Sequence, residues 1–96
     1  MKQDKNTQEF YQRLKQQLSD DTVWPAPYLF KFIVPAELEK IAEIEAIFDG
    51  TEAVINTRDS SKGNYTSVSI KVNMASPDAV IEKYLEVSNV EGVISL

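Results

Sequence analysis

The sequence predicts an α+β fold in two layers, on three observations. Tyr28 to Val34 is a near-continuous aromatic and β-branched run, which reads as a central strand. Tyr65 to Met74 alternates apolar and polar residues, which reads as a strand with one buried face. Two further stretches, Glu37 to Phe48 and the residues after Ser76, repeat apolar residues at spacings of three and four, which reads as helix. The 96 residues have room for one domain and one core, and 43% hydrophobic with 26% charged residues is a folding composition rather than a disordered one.

The elements follow in order. From Thr7 to Ser19, Phe10, Tyr11, Leu14 and Leu18 recur among Gln, Lys and Arg, predicting a narrowly amphipathic helix. Asp20-Asp21-Thr22 ends it. Trp24-Pro25-Ala26-Pro27 then holds the chain extended, because proline disfavours the helical region for the residue before it. The expected division is an N-terminal helical extension over residues 1–21 and a domain over residues 22–96. The strand from Tyr28 to Val34 is interrupted only by Lys31 and closed by Pro35. Glu37 to Phe48 places Leu38, Ile41, Ile44, Ile47 and Phe48 on one face and glutamates on the other, with Gly50 as the stop.

Thr51 to Arg58 alternates weakly. Tyr65 to Met74 sets Val68, Ile70, Val72 and Met74 against Ser67, Ser69, Lys71 and Asn73, and the turn formers Asp59 to Asn64 join the pair as a hairpin. Ser76-Pro77-Asp78 supplies an N-cap, a first-turn proline and a first-turn acid for a helix that buries Val80, Ile81, Tyr84 and Leu85 and ends near Ser88. Val90 to Leu96 is a last strand broken by Gly92. After the first helix the order is strand, helix, strand, strand, helix, strand. That is the ferredoxin-like split βαβ (βαββαβ) two-layer sandwich, here with an additional N-terminal amphipathic helix. Phe30, Phe32, Val68, Ile70, Val72 and Met74 then face the helices, and Leu29, Lys31, Ile33, Asn56, Arg58, Tyr65, Ser67, Ser69 and Lys71 lie on the opposite face.

Composition excludes most chemistry. There is no cysteine and no histidine, which removes disulfides, thiolate zinc sites, thiol nucleophiles and imidazole bases, so the expectation is a chain that is not an enzyme and carries no cofactor and no metal. Ten Lys and Arg against fifteen Asp and Glu give a net charge of −5, the wrong sign for a phosphate backbone. The charge is uneven: Lys2, Lys5, Arg13 and Lys15 outnumber Asp4 and Glu9 at the start, whereas Glu37, Glu39, Glu43, Glu45, Asp49 and Glu52 crowd a later stretch. The polar start has no apolar run behind it, so a cytoplasmic protein with no membrane contact is expected.

Ser60-Ser61-Lys62-Gly63-Asn64-Tyr65, continued by Ser67-Val68-Ser69-Ile70, resembles the hairpin and third-strand signature of the small YbeD-like bacterial domains of unknown function. Trp24-Pro25 and Lys31 resemble that family's aromatic-proline entry and first-strand lysine. The likeness covers roughly Thr22 to Leu96. It implies a βαββαβ fold similar to the regulatory ACT domains of amino-acid enzymes, with no established activity. Two departures stand out. Val34 and Pro35 occupy the junction where the family commonly has glycine and where ACT-type ligand sites need a close backbone approach, and the helix before Asp20 exceeds the family's usual start.

The candidate sites are weighed on their residues. The tip formed by Ser60, Ser61, Lys62, Gly63, Asn64 and Tyr65 offers hydroxyls, an amine and a glycine-bearing turn for an anion or a protein partner, against the plainer reading of a tight turn. Ser61 and Lys62 as a nucleophilic pair lack the burial that would activate the lysine. Glu39 and Glu43, one helical turn apart, are a solvated acidic face in the absence of an oxygen-rich loop. Lys62 to Tyr65 faintly resembles the RNA-binding element of RNA-recognition motifs, but only Tyr65 is there to stack, so no nucleic acid is expected. Phe10, Leu14 and Leu18 must dock, because so short a helix is marginal alone in water. The occupant is either the half-apolar sheet face of the same chain or another chain, which makes a homodimer one alternative. The expected function is a non-enzymatic regulatory or protein-interaction module with a protein partner still to be identified. The alternative is an ACT-like sensor of an amino acid or similar metabolite, and RNA binding stands behind both.

Overall fold

The computed structural model describes residues 5–96, with side chains from Thr7 onward; Met1 to Asp4, including the charges of Lys2 and Asp4, lie outside the described residues. The elements are α1 (Lys5–Asp21), β1 (Ala26–Pro35), α2 (Leu38–Ile47), β2 (Val54–Asp59), β3 (Tyr65–Met74), α3 (Pro77–Val87) and β4 (Ile94–Ser95). This is an α+β fold whose four strands form one antiparallel sheet in the order β2-β3-β1-β4. β1 and β3 pair along their whole length, from Ala26 opposite Met74 to Pro35 opposite Tyr65.

The even-numbered residues of the two central strands build the core. Phe30, Phe32 and Val34 of β1 and Val68, Ile70, Val72 and Met74 of β3 are buried under Ile44 of α2, Phe48, and Val80, Tyr84 and Val87 of α3. The Phe30 ring lies 5.2 Å from Phe48 and 5.1 Å from Tyr84, both edge-on, so one strand residue binds both helices to the sheet. Each such side chain gains about 1.5 to 3 kcal/mol on full burial, which is the main force holding the layers together.

The start of α3 is built as its sequence predicts. The Ser76 hydroxyl accepts from the Ala79 N–H at 3.2 Å, with Pro77 in the first turn. The α2 stripe is narrower than expected, since Leu38 is 86% exposed. At 3.6 residues per turn, Leu38 sits roughly a quarter turn off the stripe that Ile41, Ile44 and Phe48 share, so it looks outward. The last strand is also shorter than Val90 to Leu96. Only Ile94 and Ser95 pair with β1, while Val90 sinks into the core ahead of a turn at Gly92. Gly92 has φ +83, and a Cβ there would stand 2.8 Å from Cγ of Pro35, so the proline ring fills the space a side chain would need.

α1 does not cover the half-apolar sheet face of its own chain, one of the two occupants expected for it. The helix lies in the helix layer beside α3, away from the open sheet face and against its own chain. Tyr11, Leu14 and Leu18 pack on the core, Lys15 Nζ meets Asp78 Oδ1 at 2.7 Å, and the Trp24 indole N–H donates to the Leu18 carbonyl at 3.0 Å. Tyr11, Leu14 and Leu18, spaced three and four apart, form the buried stripe. Phe10, one residue and about 100° away on the helix, is left 56% exposed, so Tyr11 takes the place expected of it. Among the described residues no helix is long and apolar enough to cross a membrane.

Candidate functional site

With all three helices on one side, the other face of the sheet carries no covering element among the described residues. Its register is explicit. Leu29 stands opposite Lys71, which stands opposite Val54; Lys31 opposite Ser69 and that opposite Asn56; Ile33 between Ile94 and Ser67, with Arg58 beyond. Neighbouring strands lie about 4.8 Å apart, so these rows form one continuous surface. Its aliphatic residues are open to solvent: Leu29 is 50%, Val54 58% and Ile94 53% exposed. Between them lies a shallow hollow of about 530 Å³ lined by Lys31, Asn56, Arg58, Ser67, Ser69 and Leu96.

The charged strand residues of this face have one sign, with Glu52, ahead of β2, lining a hollow beside Lys71 at its edge. Lys31, Arg58 and Lys71 project from the face, and none of its strand positions on β1, β2 or β3 is Asp or Glu. The ion pairs Lys15 with Asp78, Lys40 with Glu37, and Lys83 with Glu86 all lie elsewhere, and among the described residues none involves the three cations of the sheet. Strand alternation names most residues of the face. The β2 register puts Arg58 beside Ser67, as alternation expects, and turns Asp59 toward Thr66, whose hydroxyl donates to the Asp59 carboxylate at 3.0 Å on the helix side.

The hairpin tip is a built turn. The Gly63 N–H donates to the Ser60 carbonyl at 2.9 Å, the Ser60 N–H to the Tyr65 carbonyl at 2.8 Å, and the Tyr65 N–H to the Ser60 hydroxyl at 3.2 Å, with Gly63 at φ +73. Three backbone donors of the tip are therefore used in making it. Ser61, Lys62 and Asn64 stay exposed, and Tyr65, 49% exposed, joins the tip to the open face. Ser61 and Lys62 have no burial around them. Glu39 and Glu43 are likewise solvated on α2, and among the described residues no three carboxylates gather to hold a metal ion.

Two further places bear on small ligands. The junction after β1 is filled, since Val34 is fully buried and the Pro35 ring lies over Gly92. Beneath α1, a hollow of about 200 Å³ is lined by Phe10, Tyr11, Leu14, Tyr28, Tyr84 and Leu96. There the Tyr28 and Tyr84 hydroxyls share a hydrogen bond of 2.8 Å. Burial pushes the Tyr84 phenol well above the ordinary tyrosine range, and the Tyr28 hydrogen bond adds to this; burial also raises Tyr11. The Tyr28 and Tyr84 pair was not legible in the sequence, because nothing local links positions so far apart.

The family model described as Protein of unknown function (DUF493) matches residues 20–96. No curated protein matches the chain, and no solved structure matches it.

Proposed function

The chain belongs to the DUF493 family of proteins of unknown function, to which the YbeD-like domains also belong, and from that premise we propose that it is a non-enzymatic module that works through protein interaction. The observation that carries this is the bare sheet face, where Leu29, Val54 and Ile94 stay half exposed although the chain has a spare amphipathic helix that docks elsewhere. Exposed aliphatic groups gathered on one surface are characteristic of interaction sites, whereas scattered single ones need no explanation. Tyr65 continues the surface to the hairpin tip, so the Ser60 to Tyr65 turn is its rim. The ferredoxin-like assignment belongs to the same reading, supported by the strand order β2-β3-β1-β4 and by two helices crossing one sheet face.

Affinity capture from cell lysate tests it, with the full chain beside Leu29→Asp and Lys62→Ala/Tyr65→Ala variants. The reading requires a protein retained by the wild type and lost from at least one variant. Identical retention on all three baits contradicts it.

A second reading, an ACT-like sensor of a small metabolite, is favoured by the hollow under α1 alone. Its volume of about 200 Å³ falls below the usual range for ligand pockets, about 300 to 1,000 Å³, and the filled Val34-Pro35 junction counts against it. A thermal-shift screen of amino acids and related metabolites decides, since a ligand at 100 times its dissociation constant adds about 2.7 kcal/mol of stability.

A further inference from the structure

The bare sheet face has a chemistry that selects its partner. Lys31 on β1, Arg58 on β2 and Lys71 on β3 surround Ser67 and Ser69 at the middle of the sheet, and Leu29, Val54, Ile33 and Ile94 fill the space between and beside them. On a chain of net charge −5, this is a surface whose charged strand residues are all cations. Diagonal neighbours on adjacent strands are about 7 to 8 Å apart, so Lys31 and Lys71 are set to meet two carboxylates one or two residues apart on an extended chain, or one helical turn apart.

Resting on the interaction-module reading above, we propose that the open face of the β2-β3-β1-β4 sheet binds an acidic segment of a partner protein, with its carboxylates on Lys31, Arg58 and Lys71 and its aliphatic side chains on Leu29, Val54 and Ile94. A second copy of this chain is a poor occupant. Face to face about a two-fold axis, it would bring cations against cations, and presenting its acidic α2 surface instead would make a heterologous head-to-tail contact, which a two-fold dimer does not use. Single-stranded nucleic acid also fits badly. Such partners need flat aromatic platforms along the strands, and the exposed apolar groups here are aliphatic except for Tyr65 at the rim.

The test is an amide chemical-shift titration of the isotopically labelled full chain with three probes: a synthetic peptide repeating Glu-Glu-Leu-Leu, the same peptide with lysine for glutamate, and oligouridylate. The expected result is that the acidic peptide shifts Leu29, Lys31, Asn56, Arg58, Ser69 and Lys71, and that added salt weakens its binding. The double variant Lys31→Glu/Arg58→Glu, with an otherwise unchanged spectrum, should weaken it about tenfold or more. No shift on this face, equal binding of the lysine peptide, or binding of oligouridylate in place of the acidic peptide overturns the proposal. Shifts confined to Ser60 through Tyr65 also overturn it, while leaving the module reading in place with the hairpin tip as its surface.

Discussion

The Tyr28 and Tyr84 hydroxyls meet at 2.8 Å, closing β1 onto α3 across 56 positions of sequence. The Tyr84 ring lies 6.3 Å from Tyr11 of α1 and 5.1 Å from Phe30 of β1, so one side chain touches sheet and added helix together. This junction fixes α1 in the helix layer. In doing so it leaves the opposite sheet face bare, which links a packing detail to the proposed function.

Alkaline stability should report this junction. The folded Tyr84 phenol holds its proton far above the ordinary value, chiefly through burial. Below about pH 10 the group is protonated in both states and its contribution is intact; above that the unfolded phenol ionises first, so stability falls as pH rises. Tyr84→Phe should cost about 1 kcal/mol at neutral pH through the lost hydrogen bond, and should flatten the decline above about pH 10, as measured by urea unfolding across the range.

The docked helix should contribute measurably to folding. Leu14→Ala should lower stability by about 1 to 2 kcal/mol, below the range for fully buried leucines because the side chain is only partly buried, while Phe10→Ala should cost about 0.5 kcal/mol or less. Denaturant unfolding of both variants checks the order. Equal losses would contradict the placement of α1.

Gly63 and Gly92 share a positive φ but not a neighbourhood. Gly63→Ala meets open space and should cost about 1 to 2 kcal/mol from backbone strain alone; Gly92→Ala adds a contact with the Pro35 ring and should cost more. Thermal unfolding of the two variants should rank them in that order.

Thr66 is the one polar side chain in the core among the described residues, and its hydroxyl donates to Asp59. Asp59→Ala should cost about 1 kcal/mol or more by stranding that hydroxyl, and adding Thr66→Val should recover most of it, which a double-mutant cycle measures.

The central sheet was largely legible in the sequence, and the reasons are local. Alternation along Tyr65 to Met74 divides the two faces correctly, because a strand has a fixed period of two, and the Ser76-Pro77-Asp78 start of α3 carries its own hydrogen-bond partners. What was missed depends on contacts between distant segments. Tyr11 displaced Phe10 from the docking stripe because Tyr84 offers it a partner, Leu38 turned outward because its stripe is set by the sheet, and Val90 went to the core instead of extending β4. Most of the open face was named from alternation, but Val54 and Ile94 were not, because the short β2 and β4 segments alternate too weakly to show which way they face. The register of β2 adds that Asp59, expected in the turn, pairs beside Thr66 on the helix side.

The central claim is that α1 satisfies itself on its own chain and leaves the sheet face free for another protein. Light-scattering mass of the purified full chain tests this most directly. The account predicts a monomer near 10.8 kDa that keeps that mass in Lys31→Glu/Arg58→Glu. A dimer of the wild type, dissociated by that double change, would show that the face is already occupied by a second copy and would contradict it.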